Sequence, residues 1–196
     1  MESRVKLAGH AVHPMLIAFP LGLLSTAVVF DILFLVTGNV RWTETAYYMI
    51  GAGVIGGIAA AVPGWVDWVA IPGSTRAKRV GLVHGVGNVV VLGLFVLSWL
   101  LRRPDPSAPP TGAIVAGLAG VVILAVTGWL GGELMNRLGV GVDDGAHLDA
   151  PSSLSALPAA ATPRAQWRGG FAGGDRRAPE QPAYAGIERR AGGPVR

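Results

Sequence analysis

Four kinds of side chain in this sequence are out of place in hydrocarbon and suited to chemistry. They are the imidazoles of His10, His13 and His84, the carboxyls of Asp67 and Glu133, and the amide of Asn88. His10 and His13 stand in Gly9-His10-Ala11-Val12-His13-Pro14, at the mouth of a long apolar run. Asp67 closes a second run, His84 and Asn88 open a third, and Glu133 closes a fourth. His84 and Asn88 are four apart, so on a helix they share one face. Ionisable groups inside a membrane cost roughly 2.5–3.5 kcal/mol each at mid-span, so they need a partner or a task. Imidazoles on two facing helices could ligate haem iron axially, with Lys6, Arg76, Lys78 or Arg79 against the propionates. His13 and His84 with Asp67 and Glu133 could instead hold a divalent metal. A chain of imidazoles and carboxyls could also relay protons. The same groups could simply hydrogen-bond to one another or to water and close the end of a bundle.

The elements that must position these residues are apolar spans. Of 196 residues, 51% are hydrophobic and only 14% charged, unlike a soluble globular domain. Runs 15–37, 46–71, 80–101 and 112–135 are each long enough to cross about 30 Å of hydrocarbon at about 1.5 Å per residue. Backbone polar groups in lipid must be satisfied within the segment, so each run is predicted to be a helix. Pro14 fits a first helical turn, while Pro20 and Pro63 should kink their helices. The short connections 38–45, 72–79 and 102–111 make neighbours antiparallel. The expected fold is all-α: an integral membrane four-helix up-down-up-down bundle over residues 1–143. The pairs Gly53/Gly57, Gly81/Gly85 and Gly128/Gly132 are predicted to let helices approach closely, chiefly within the chain, with a homo-oligomer as the alternative.

Basic residues set the expected orientation. Arg4, Lys6, Arg76, Lys78, Arg79 and Arg137 fall on one side, and only Arg41, Arg102 and Arg103 on the other. The asymmetry predicts an inner (cytoplasmic) membrane protein with both termini cytoplasmic, and places His10, His13, Asp67, His84, Asn88 and Glu133 toward that side. Trp42 and Trp99 mark the outer boundary, and Trp65, Trp68 and Trp129 the inner one. The first span is too long and too polar at Asp31 for a cleaved signal peptide. Asp31 lies about 27 Å along a straight helix from His13, so it should pair with Arg41 or Arg102, or hydrogen-bond across the bundle. Residues 144–196, rich in Ala, Pro, Gly and Arg, are predicted to be a disordered cytoplasmic tail, with His147 solvated. The high pI suits anionic lipid headgroups, and no nucleic-acid partner is expected.

With no cysteine, the chain cannot hold disulfides, thiolate-bound iron–sulfur clusters or c-type haem. It carries no phosphate-binding loop after a strand, no Gly-x-Ser-x-Gly and no His-Glu-x-x-His. Gly85-Val86-Gly87 lies inside a span and reads as packing.

Several ordered motifs carry a family resemblance over about residues 9–142. They are His13-Pro14-Met15-Leu16-Ile17-Ala18-Phe19-Pro20, Gly64-Trp65-Val66-Asp67-Trp68, His84 with Asn88, and Gly128-Trp129-Leu130-Gly131-Gly132-Glu133-Leu134 before Gly139-Val140-Gly141-Val142. Together they resemble the bacterial membrane proteins catalogued as domain of unknown function 2231, predicted four-helix proteins. The resemblance implies a membrane location and that fold, and it names no activity. Fusion of some members to Rieske-type iron–sulfur domains implies electron transfer, here with a separate redox partner because cysteine is absent. Some members carry a further histidine where this chain has Ala18. A two-histidine haem b site here would then rest on His13 and His84.

Overall fold

The computed structural model describes residues 1–161. The remainder of the expected tail, 162–196, lies outside the described residues. Among the described residues the elements run β1 (Lys6–Leu7), β2 (His10–Ala11), α1 (Val12–Leu16), α2 (Ala18–Thr37), α3 (Val40–Ala70), α4 (Arg76–Arg102) and α5 (Thr111–Asn136). α1 with α2, α3, α4 and α5 form four stretches long and apolar enough to cross a membrane. The four-helix expectation is met.

Local chemistry fixes the ends of these helices. Gly38 takes the left-handed conformation at φ +67°, and its N–H reaches Phe34 O at 2.8 Å. Asn39 then caps α3, its side chain accepting from Arg41 N at 3.1 Å. The first connection is therefore two residues long, not the eight of 38–45, because α3 starts at Val40. Thr75 caps α4 by accepting from Lys78 N at 3.1 Å. Pro20 sits in the first turn of α2, where no donor is missed, and the helix breaks before it at Ile17. Pro63 stays inside α3.

α2 packs chiefly on α3, and α4 on α5; the two hairpins meet along α3–α4 and α2–α5. At mid-bundle Leu24, Ala27, Val28, Ala46, Ile50, Val91, Phe95 and Leu124 form the core. Gly53, Gly57 and Gly120 permit this closeness: a β-carbon on each would fall within 3 Å of Leu24, Leu92 and Phe95 respectively. Gly81 does the same for Trp68, whereas Gly85 and Gly128 face open space. Polar Asp31, Thr43, Ser98, Arg102 and Thr127 are buried, while Val29, Ile55, Ile58, Val62, Val89, Val122 and Val126 are exposed. That inside-out arrangement suits lipid as the solvent.

The amino-terminal segment folds over one end of the bundle. Ala8 (φ 50°) and Gly9 (φ +79°) make the tight turn between β1 and β2, which pair antiparallel. Residues 144–161 form turns without helix or strand and lie against this hairpin, where Ser153 Oγ donates to Ala8 O.

Candidate functional site

His13 reaches the bundle because α1 ends at Leu16, leaving its ring to cross onto α3. Its Nδ1 lies 2.8 Å from Ala60 O, in the turn before Pro63. A carbonyl only accepts, so this nitrogen carries a proton. The ring rests on Gly64, where a β-carbon would fall 2.7 Å from Nδ1. Only glycine leaves that seat open.

His84 lies eight residues into α4, about 12 Å from its start. Its Nδ1 donates to Thr127 O at 2.8 Å, and a β-carbon on Gly131 would come within 3.1 Å of its Cε1. One turn further along α4, Asn88 Nδ2 lies over the His84 ring, 3.2 Å from Nε2 and 3.5 Å from Nδ1, and donates to His84 O at 2.9 Å. Thr127 Oγ1 donates to Asn88 Oδ1 at 3.0 Å and to Leu124 O at 3.1 Å, sharing one proton. Across the bundle the imidazoles of His13 and His84 face each other, centroids 6.3 Å apart and planes at 88°. Each is partly buried.

The structure brings His13, His84 and Asn88 together and ties the other expected residues elsewhere. Asp67 accepts from Ser3 Oγ at 2.7 Å and from Arg4 N at 2.6 Å, so it anchors the amino-terminal segment. Glu133 pairs with Arg76 at 2.8 Å. Among the described residues no group of three His, Cys, Asp or Glu side chains is gathered to hold a metal ion. His10 is exposed beside Ala8 O and Ser153, and His147 is exposed as well. Lys6 pairs with Glu2 and Asp143. Lys78 donates to Trp68 O and lies over the Trp68 ring.

A second polar centre occupies the opposite end. Arg102 Nη1 and Nη2 meet Asp31 Oδ1 and Oδ2 at 2.7 and 2.6 Å, a bidentate pair with no exposure on either side chain. Thr43 Oγ1 accepts from Nη1 at 3.1 Å, and Ser98 Oγ accepts from Nε at 3.3 Å while donating to Ala113 O at 2.6 Å. Of the two arginines expected for Asp31, Arg41 is exposed and Arg102 takes the place. Sequence reasoning missed Thr127, Thr43 and Ser98. Ser98 and Thr127 are single hydroxyls in apolar runs and Thr43 falls in the expected connection 38–45, so none gives a signal until the facing helix is known.

No curated protein and no solved structure matches this chain. The family described as predicted membrane protein (DUF2231) matches residues 9–144, a stretch holding His13, Asp67, His84, Asn88, Thr127 and Glu133, and the chain belongs to that family.

Proposed function

We propose that this is a small b-type haem protein of the bacterial inner membrane, in which His13 and His84 would hold the iron and a separate protein would be the redox partner. Donor count carries the reading. The two imidazoles face each other without a carboxylate beside them among the described residues. A bare divalent cation takes about four ligands, which this pair does not supply. Iron already held by a macrocycle needs only two more, and imidazole is a common choice. The ring centroids are 6.3 Å apart, so both imidazoles are near enough to serve one iron. Each Nδ1–H rests on a backbone carbonyl, which fixes the tautomer and leaves Nε2 as the ligating atom. Haem b, when bound, supplies a reversible one-electron couple. The protein's part is to orient both rings, keep carboxylates away and hold the site inside the apolar bundle. Of the four basic side chains considered for propionates, Arg79 alone makes no ion pair or hydrogen bond among the described residues.

The test is a reduced-minus-oxidised spectrum of detergent-purified protein from haem-replete cells. Soret and alpha bands are expected in the wild type and lost in His13→Ala and His84→Ala. A wild type without either band ends the haem reading. Orientation is tested separately: reporter fusions at both ends should report the cytoplasm, as the basic residues near Arg76–Arg79 and Arg137 require.

A further inference from the structure

We infer that residues 3–11 are a latch over the histidine end of the bundle, and that a ligand reaches His13 and His84 only after Ser3 and Arg4 let go of Asp67. The inference rests on the haem reading only for the identity of that ligand; the latch follows from the contacts of the amino-terminal segment. Ser3 precedes every helix and strand, yet it is only 6% exposed, because its hydroxyl donates to Asp67 Oδ2 at 2.7 Å. Arg4 N–H takes the other carboxylate oxygen at 2.6 Å. Asp67 stands three residues beyond Gly64, the seat of the His13 ring, so it shares that face of α3 about 4.5 Å nearer the helix end. On α4 the matching position, three residues before His84, is Gly81, and the Trp68 ring lies against it. Ser3 on Asp67 and Trp68 on Gly81 therefore fill the turn between the imidazoles and the end of the bundle.

The latch is fastened firmly on one flank only. Toward α3 it makes two hydrogen bonds to a buried carboxylate. Toward α5 a cleft of about 400 Å³ lies between Gly9, His10, Pro14 and Met15 on one side and Met135 and Val142 on the other. The remaining ties are exposed: the Lys6–Asp143 ion pair and the Ser153 bond to Ala8 O. Water replaces exposed contacts of this kind readily, whereas a hydrogen bond to a charged carboxylate is roughly twice as strong as a neutral one. Asp67 is thus the catch. The latch is also joined to the site it covers, since Val12 N–H donates to Val5 O at 2.9 Å and His13 follows directly. Lifting it uncovers the imidazole pair and loosens the short helix that carries His13.

The experiment treats full-length, cofactor-free protein in detergent with diethyl pyrocarbonate and follows each of the four histidines by mass spectrometry. Exposed His147 sets the reference rate. Asp67→Ala removes the catch, and Ser3→Asp sets a second carboxylate against it. His13 and His84 should react more slowly than His147 in the wild type. Both should gain at least about tenfold in each variant, the equilibrium worth of one hydrogen bond to a charged group. Amide exchange over residues 3–11 should rise with them. Unchanged exchange at Val91 and Phe95 shows that the bundle stays folded; if both variants fail that check, Ser3→Ala, which removes a single bond, gives the same comparison. Wild-type His13 and His84 reacting as fast as His147, or rates unmoved in the folded variants, overturns the latch. With hemin, Asp67→Ala should bind faster and reach the wild-type spectrum. The expected gain in histidine reactivity in a protein that binds no hemin would sink the haem reading and support the latch.

Discussion

Asp31 and Arg102, 71 residues apart in the chain, close a two-point ion pair that is wholly shielded from solvent. Thr43 and Ser98 satisfy further guanidinium hydrogens, and Ser98 passes the connection to the backbone of α5. One cluster thus joins all four spans. Between it and the histidines lies the layer of Leu24, Ile50, Val91, Phe95 and Leu124. The bundle has the buried ion pair at one end and the two imidazoles at the other.

Removing one member of the ion pair leaves a bare charge in a low-dielectric interior. Asp31→Ala and Arg102→Ala should each destabilise the bundle by about 3–5 kcal/mol. The double change Asp31→Leu with Arg102→Met should recover most of that loss, since no charge is left unpaired. Unfolding in mixed detergent micelles measures all three. A double variant as unstable as the singles would show that the contacts to Thr43 and Ser98 matter more than charge balance.

The seats of the two rings make unequal demands. Gly64→Ala puts a methyl 2.7 Å from His13 Nδ1, and Gly131→Ala puts one 3.1 Å from His84 Cε1. On the proposed haem reading, the first should displace its ring and reduce haem retention by at least about tenfold, a typical loss when a ligand's support is disturbed. The second should cost less, because a few tenths of an ångström relieve it. Haem content per protein of the two variants checks the order.

Asp67 serves the amino-terminal segment and not the histidine pair. Asp67→Asn should weaken its charge-assisted bonds to Ser3 and Arg4, each worth about 1.5–3 kcal/mol when made to a charged group. Faster amide exchange over residues 1–11 is expected and, on the proposed haem reading, an unchanged spectrum. A changed spectrum would place Asp67 back beside the site.

The segment's outer attachment depends on pH in a defined sense. Hydrogen bonds to Asp143 and then Glu2 raise Lys6 above its ordinary value. The contribution of Lys6 is therefore full below that value and lost as pH rises through the raised one. Glu2 is lowered, first by the bond from Lys6 and then by Asp144 N–H, so its contribution is full above the ordinary carboxylate value and lost as pH falls through the lowered one. These groups are exposed and the gain is small. Protease cleavage near residues 1–11 should be slowest between those limits and rise at both extremes.

The spans follow from the apolar runs alone, because lipid forces a run of this length to satisfy its own backbone hydrogen bonds. They also bring His13, His84 and Asn88 to one end, since an even number of antiparallel helices returns alternate ends to the same side. Which polar residues touch was decided only by rotation about the helix axes and by the fold of the first eleven residues. Asp67 and Glu133 sit at the right depth for the histidines, yet Ser3, Arg4 and Arg76 claim them. Thr127 is one hydroxyl in an apolar run until α5 turns it toward Asn88. Depth follows from counting residues along each helix, whereas partnership needs the azimuth of one helix against the next.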